Sequence, residues 1–173
     1  ATGEWQFDFV NSRFCELTGL NREDVLNNYE NAFRIIHSDD FPVFISLIES
    51  VEKNPAPFGW EGRIIVNGET RWVSLKSKPT VMDNRDIVWS GYFNDITERK
   101  RAENELRQNK ARFRSYFELP LIGIAITSLD KNWLEVNSAL CDMLGHSRQE
   151  LLGMKWTQLT HPDDLDADLE QFN

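Results

Sequence analysis

Apolar and polar positions along the chain change their period from segment to segment, and those changes predict its elements. Trp5–Val10 reads as a short strand leading into a helix that Asn11 or Ser12 can cap. That helix sets Phe14 and Leu17 on one side and stops at Gly19, which suits the left-handed residue after a helix. A second short helix follows the polar start Asn21-x-x-Asp24. A third begins near Ser38 or Asp39, tolerates Pro42 in its first turn, and carries Phe41, Phe44, Ile45, Ile48 and Val51 at helical spacing. Acidic residues at its start favour the helix dipole.

Residues 54–59 break that helix. Trp60–Val66 and Glu69–Lys78 then flank Asn67-Gly68, a two-residue hairpin signal. Such a turn pairs Val66 with Glu69, Ile64 with Arg71 and Arg63 with Trp72. Trp60, Ile64, Val66, Val73 and Leu75 thereby share one face, assigned to the core, and Glu61, Arg63, Thr70, Trp72, Ser74 and Lys76 share the other. Trp72 on that charged face is expected to lie against Arg63 or under another element. The next strand, Ile87–Asp95, is apolar at both parities, which predicts a central strand covered on both sides. Asp95 or Thr97 can cap a helix over Thr97–Phe117. Its Ala102, Leu106, Phe113 and Phe117 follow a coiled-coil stripe interrupted near Asn109, and Glu103 with Arg107 makes an i,i+4 pair.

The pattern then repeats. Residues 9–26 align without gaps to residues 135–152 at an offset of 126, and His37-Ser-Asp-Asp-Phe41 matches His161-Pro-Asp-Asp-Leu165 at an offset of 124. Asn137 and Gly145 repeat the cap and stop of the first helix, Ser147-x-x-Glu150 has capping-box spacing, and Leu165, Leu169 and Phe172 begin the third-helix stripe again. The expectation is one nearly complete copy, a linker, and the front half of a second copy. The first would lack the counterpart of residues 111–126 and the second that of residues 50–97. The half copy is expected to expose Leu140, Met143, Leu144, Leu151, Leu152 and Phe172.

Composition narrows the class. The chain has 173 residues, 40% of them hydrophobic and 27% charged, as globular domains do. Its net charge of -9 has the wrong sign for a nucleic-acid binder that works through its overall field. That charge is segregated. Residues 1–95 carry 15 acids and 9 bases, residues 96–117 carry 3 and 7, and residues 118–173 carry 10 and 3. A basic helix therefore separates two acidic segments. The longest nearly apolar run, Leu119–Ile126, falls far short of the roughly 20 residues that span a bilayer. With no secretory signal and two cysteines, Cys15 and Cys141, the expected location is cytoplasmic, without direct membrane insertion.

Several motifs together carry a family resemblance. They are Phe9-Val-Asn11, Gly19, His37-Ser-Asp-Asp40, Trp60-Glu-Gly-Arg63, Asn67-Gly68, Arg71-Trp-Val73 and Gly91-x-x-x-Asp-Ile-Thr-Glu-Arg-Lys100. The second copy adds Phe113-Arg-x-x-Phe117, Ile122–Ile126, Val136-Asn137, Gly145 and His161-Pro-Asp-Asp164. The chain resembles tandem PAS domains with a C-terminal PAC motif. The resemblance implies an α+β fold, a five-stranded antiparallel sheet with helices on one face, joined by a helical linker to a partial second copy. The corresponding domains are 1–97, lacking its first strand, a signalling linker 98–117, and the N-terminal half of a second domain, 118–173. It implies a sensory or dimerising role upstream of a signalling output, such as a histidine kinase or a cyclic-di-nucleotide enzyme. The Gly-x-Asn-Cys-Arg-Phe-like run of the light-sensing relatives is absent, which disfavours a covalent flavin adduct. Residues 39–53 hold no histidine, which disfavours haem.

Candidate sites follow. The aromatic interior offers Phe14, Leu17, Ile36, Phe44, Ile48, Trp60, Ile64, Val73, Leu75, Trp89 and Tyr92 as lining for a pocket, with core packing as the competing reading. Asp95, Ile96 and Thr97, then Leu106 and Phe113, are the candidate relay. His37, Asp39 and Asp40 lie at a helix start and read as caps rather than as metal ligands, and Cys15 and Cys141 as structural thiols. No catalytic constellation is present, so an output enzyme would lie outside these residues. The expected partners are the downstream output domain and a second copy, pairing by strand or half-domain exchange through Leu121–Thr127. The alternative is a ligand-free dimerisation module.

Overall fold

A computed structural model describes residues 5–172, apart from the side chains of residues 167–169, 171 and 172. The expected continuation of the last apolar stripe through Leu169 and Phe172 lies outside the described side chains. The chain divides into two compact units, Ala1–Glu103 and Asn104–Asn173.

The first unit opens with α1 (Ser12–Thr18), α2 (Arg22–Asn27), α3 (Glu30–Arg34) and α4 (Phe41–Lys53). Asn11 caps α1, its carboxamide oxygen accepting from the Phe14 N–H at 2.8 Å, and Gly19 closes it at φ 71°. Asn21 caps α2 through the Glu23 N–H. Residues 5–10 form no strand, and among the described residues no strand pairs with their backbone. The helix α3 is an addition to the expected set: its five residues are too few to show a helical period. Helix α4 starts at Phe41, later than the acids suggested, with Pro42 in its first turn.

Three antiparallel strands follow, β1 (Phe58–Val66), β2 (Glu69–Val81) and β3 (Ile87–Asp95), in the order β1-β2-β3. Asn67 and Gly68 turn the hairpin at φ 51° and 81°, a backbone that asparagine and glycine accept at little cost. The register pairs Val66 with Glu69, Ile64 with Arg71 and Arg63 with Trp72, as the turn length dictates. Phe44, Ile48, Trp60, Ile64, Val66 and Val73 form the buried core, so the predicted face assignment holds. Trp60 lies back over Gly62 along its own strand: a Cβ at Gly62 would sit 2.1 Å from the indole. Phe33, Phe44 and Trp60 continue edge to face at 5.1 and 4.9 Å.

The edges of this sheet differ. Residues 35–37 run antiparallel to β1, with the Ile65 N–H on the Ile35 carbonyl at 2.7 Å and the His37 N–H on the Arg63 carbonyl at 2.9 Å. They satisfy β1's free groups. Among the described residues β3 is the opposite edge, which corrects the expectation of a central strand. Its two parities differ: Trp89 and Phe93 are half-buried toward the core, whereas Val88 and Tyr92 are exposed.

Helix α5 (Thr97–Phe117) covers the predicted span. In the second unit β4 (Ala125–Thr127) pairs with β5 (Trp133–Val136) in a two-stranded sheet. β4 is shorter than the expected Ile122–Ile126 strand because the Ile122 carbonyl and the Ile124 N–H bond to the Asn137 side chain instead of a neighbouring strand. Helices α6 (Ser138–Leu144) and α7 (Arg148–Leu152), a 3-10 turn and α8 (Pro162–Phe172) complete the unit. The predicted capping box at Ser147 and Glu150 is present. Met143, Leu144 and Leu152 are exposed as expected, but Leu140 is half-buried and Leu151 fully buried among the second unit's own residues. The described strands thus number three and two, in separate sheets.

Candidate functional site

Two regions of the first unit hold candidate site residues: a groove beside the core, and the junction where β3 becomes α5. The groove holds about 770 Å³ and lies along α3, α4 and the strand-like residues 35–37. Trp5, Tyr29, Phe33, Ile36, Phe41, Ile45, Ile48 and Ile65 line it, with Glu30, Arg34, Ser38, Glu49 and Glu52 as its polar lining. The Trp5 indole N–H donates to the Glu52 carboxylate. Of the pocket residues named from sequence, Ile36 and Ile48 reach this groove. Phe44, Trp60, Ile64 and Val73 pack on one another in the core, Leu75 is packed against it, and Leu17 is buried. Phe14 packs edge to face with Phe93 at 5.4 Å, and Trp89 lies between Trp5 and Phe58 at 5.9 and 5.4 Å. Tyr92 shares the outer face with its partner Lys76 and is 53% exposed, so it sits away from the other candidates. Sequence reading missed Tyr29 and Phe33; their i,i+4 spacing was the available signal, but it belongs to a turn and a helix too short to announce themselves.

At the junction the chain folds back on β2. Thr97 Oγ1 accepts from the Trp72 N–H at 3.0 Å and donates to the Trp72 carbonyl at 3.4 Å, while the Ile96 N–H donates to that same carbonyl at 2.8 Å. Asp95 Oδ1 accepts from the Thr97 N–H at 2.8 Å, so it shapes the start of α5. Asp95, Ile96 and Thr97 thus come together around one residue of the neighbouring strand. Leu106 and Phe113 lie farther along α5 and are exposed.

Two cations lie over the indole of Trp72, Arg63 at 5.8 Å and Lys100 at 5.3 Å from the ring centre. Lys100 and Arg99 both reach Glu61 on β1, at 2.8 and 2.7 Å. Arg99 also pairs with Glu103, whereas Arg107 bonds to Asn104, so the expected Glu103–Arg107 pair is replaced. Arg63 in turn grips the acids before α4: Asp40 accepts from its Nε at 2.9 Å, its Nη2 at 2.7 Å and its backbone N–H at 2.8 Å, and Asp39 accepts from Nη2 at 3.3 Å. This corrects the capping reading for the two acids, since neither carboxylate is bonded to the first turn of α4 and Asp40 makes no cap bond, whereas His37 Nδ1 accepts from the Asp39 N–H at 3.2 Å in the turn before it. A forked guanidinium two dozen residues away binds the carboxylates more strongly than a helix dipole does. Arg63, Glu61 and Lys100 were legible only as one charged face and a basic helix start. Among the described residues no cluster of metal-ligating side chains occurs, and Cys15 and Cys141 are half-buried free thiols.

These bonds perturb titration. Hydrogen bonding from the Arg63 side chain lowers the Asp40 carboxyl below its ordinary 3.8, against a smaller opposing effect of burial. Hydrogen bonding from Lys100, and then from Arg99, lowers Glu61 below 4.5. A carboxyl depressed in the folded state lets the unfolded chain bind protons first, so its stabilisation is complete above the ordinary value and is lost as pH falls through the folded one. Thermal melts of the chain should therefore hold steady down to about pH 5 and decline below it. Asp40→Asn should melt lower than the parent at neutral pH, and the two should converge as pH drops below 3.8. Parallel curves across that range would contradict the assignment.

Comparison with known protein families agrees with this fold. The family model described as PAS fold matches residues 7–93 and 134–173. Over 72 residues, 41% of the chain, the sequence is 42% identical to the probable diguanylate cyclase DgcE of Escherichia coli (strain K12), of which it covers 6%. Over 85 residues, 49% of the chain, it is 26% identical to Sporulation kinase E of Bacillus subtilis (strain 168), of which it covers 11%. Among solved structures, a sensory box histidine kinase/response regulator from Burkholderia thailandensis E264 aligns at a TM-score of 0.40 and 23% identity, over 46% of this chain and 63% of that one. The chain thus spans about a tenth or less of the length of the curated relatives it matches. Among the described residues no helix is long and apolar enough to cross a membrane. With family-model matches at both the first unit's motifs and their repeat in the second, the chain belongs to the PAS fold family.

Proposed function

We propose that this chain is a non-catalytic sensory and relay module of a larger cytoplasmic signalling protein. Residues 1–97 act as the sensing PAS/PAC domain, 98–117 as a helical signalling linker, and 118–173 as the front half of a second PAS domain. In the assembled protein each domain completes a five-stranded sheet with helices on one face. The output is a histidine kinase of a two-component system or a cyclic-di-nucleotide enzyme, consistent with the kinds of protein in which similar segments occur.

The observation that carries this reading is the pair of hydrogen bonds between the Thr97 hydroxyl and the Trp72 backbone. It makes the start of α5 an extension of the sheet's hydrogen bonding. Arg63 joins that junction to the acids before α4, the helix that lines the groove with Ile45 and Ile48. A ligand or partner that shifts α4 would bear on Arg63, then Trp72, then α5. The free energy available to the output is the difference in its affinity for the two arrangements.

Replacing Asp95 and Thr97 together with Ala should leave the first unit folded, since exposed or half-exposed bonds of this kind contribute about 1 kcal/mol each. In the full-length protein the output should lose its dependence on stimulus while basal activity persists. An unchanged response would refute the relay. Native mass spectrometry of the purified chain addresses the sensing half: a bound small molecule supports a groove or interior ligand, and an empty dimer supports the alternative, a ligand-free dimerisation module. The exposed outer edge of β3 favours strand exchange as one mode for that dimer, with Leu121–Thr127 of one copy added to β3 of another. Crosslinking between residues 87–95 and 121–127 of differently labelled copies would detect it.

A further inference from the structure

The interior between α4 and the sheet is filled, since Phe44, Trp60, Ile64 and Val73 pack on one another there. Open space lies beside it, in the groove of about 770 Å³. That groove is outside the core. Ile65 lines it from β1, with the parity opposite to the buried Ile64 and Val66. Phe41, Ile45, Glu49 and Glu52 line it from α4, whereas Phe44 and Val51 do not. Its volume falls within the roughly 300–1,000 Å³ of small-molecule sites.

The charges of the groove select its occupant. Arg34 is the cation of its lining, and it is paired with Glu30, another lining residue, at 3.6 Å. Glu49 and Glu52 have no such partner. Among the described residues the Glu49 carboxylate is unbonded, and the Glu52 carboxylate accepts only from the Trp5 indole N–H. The two acids are three residues apart, so they share a face of α4. Glu52 also stands in the last turn of that helix, at the negative end of its dipole. An acid there costs the fold a little and deepens the negative potential. The Trp5 bond sets an electron-rich ring beside this carboxylate, and indole is the strongest aromatic partner for a cation. Tyr29 and Phe33, edge to face at 5.5 Å, add two more rings to the lining. Carboxylates among aromatic faces attract an ammonium and repel an anion. The apolar lining favours a cation with an apolar body over a hydrated inorganic ion.

We propose that this groove binds a small organic cation, its ammonium group set against Glu49, Glu52 and the Trp5 ring and its apolar body against Tyr29, Phe33 and Ile45. This deepens the reading of the first unit as a sensor by naming the class of ligand, and it rests on that reading only for its consequence in signalling.

The test titrates the whole chain with benzyltrimethylammonium and follows proton–nitrogen correlation spectra. Saturable shifts are expected at the Trp5 indole N–H and at the amides of residues 29–34 and 45–52. Benzenesulfonate should give none, and benzyl alcohol should bind roughly fivefold more weakly than the cation, the worth of one exposed ion pair. No saturable shifts, shifts confined to other residues, or an equal response to the three probes each overturns the proposal. Glu49→Gln with Glu52→Gln should weaken the cation roughly tenfold and leave benzyl alcohol unchanged. The same variant should melt no lower than the parent, because these acids oppose the helix dipole. Unchanged affinity for the cation in that folded variant overturns the proposal. Arg34→Gln frees Glu30 and should tighten the cation about twofold, and weaker binding there overturns the charge assignment. A basic amphipathic peptide that shifts the same residues and is not displaced by the cation overturns it as well. Binding of the cation to the parent with no change of output in the full-length protein refutes the relay and leaves this site standing, whereas absence of binding overturns the site whatever the output does.

Discussion

Asn137→Ala should destabilise the second unit by about 3–5 kcal/mol, enough to unfold much of it near physiological temperature. The side chain is fully buried. Its oxygen accepts from the Leu140 and Ile124 N–H groups, each at 2.9 Å, and its nitrogen donates to the Phe117 and Ile122 carbonyls at 2.8 and 2.7 Å. One residue thus ties the end of α5 to residues 122–124 and to the first turn of α6. Removing it strands four backbone groups in a site where Val136 and Ala139 already exclude water. At the same position in the first unit, the Asn11 side chain is exposed and, among the described residues, bonds only to the Phe14 N–H. Asn11→Ala should therefore cost about 1 kcal/mol, the ordinary loss of a helix cap. Residue-resolved amide exchange on the two variants measures both effects, and equal losses would contradict the contrast.

Trp60→Ala should cost the first unit about 3–5 kcal/mol, since it empties the centre of the core on which Phe44 packs. Gly62→Ala tests the same packing from the other side. Its methyl group would have to displace the indole, with an expected loss of about 1–3 kcal/mol. Urea denaturation of the two variants and of the double variant would check this. Once the indole is gone, a methyl at position 62 has nothing to strike, so the double variant should lose less than the sum of the singles. Strict additivity would show that the indole does not occupy that space.

Both sites were partly legible beforehand. Asn137 was readable as a cap because a cap is a local bond, made within three residues. Its bonds to Phe117 and Ile122, 20 and 15 residues away, leave no mark on the local pattern. Trp60 was assigned to the core because the turn length of Asn67-Gly68 sets the hairpin register, and register with a period of two sorts every side chain to a face. Of the candidate pocket residues, Ile36 and Ile48 border the groove, whereas Phe44, Ile64 and Val73 pack on one another in the core. Composition cannot distinguish a packed aromatic interior from an open one. That depends on how α4 sits on β1, at distances only the fold sets.

What the sequence by itself determined was whatever nearest neighbours decide. This includes the caps at Asn11, Asn21 and Ser147, the stops at Gly19 and Gly145, the hairpin, the span of α5, and the repeat that relates the two units. What only the tertiary structure decided was the choice among distant partners of comparable appeal. Asp39 and Asp40 could have stabilised a helix start, yet they turn to Arg63, because a bidentate, partly shielded guanidinium outbids a solvated dipole. β3 is apolar at both parities yet forms an edge, since its cover depends on which strands lie beside it rather than on its own residues. Phe117 shares a helical stripe with Leu106 and Phe113, yet it is buried while they are exposed, because it is drawn into the second unit. In each case the sequence offered two acceptable local outcomes, and long-range packing selected one.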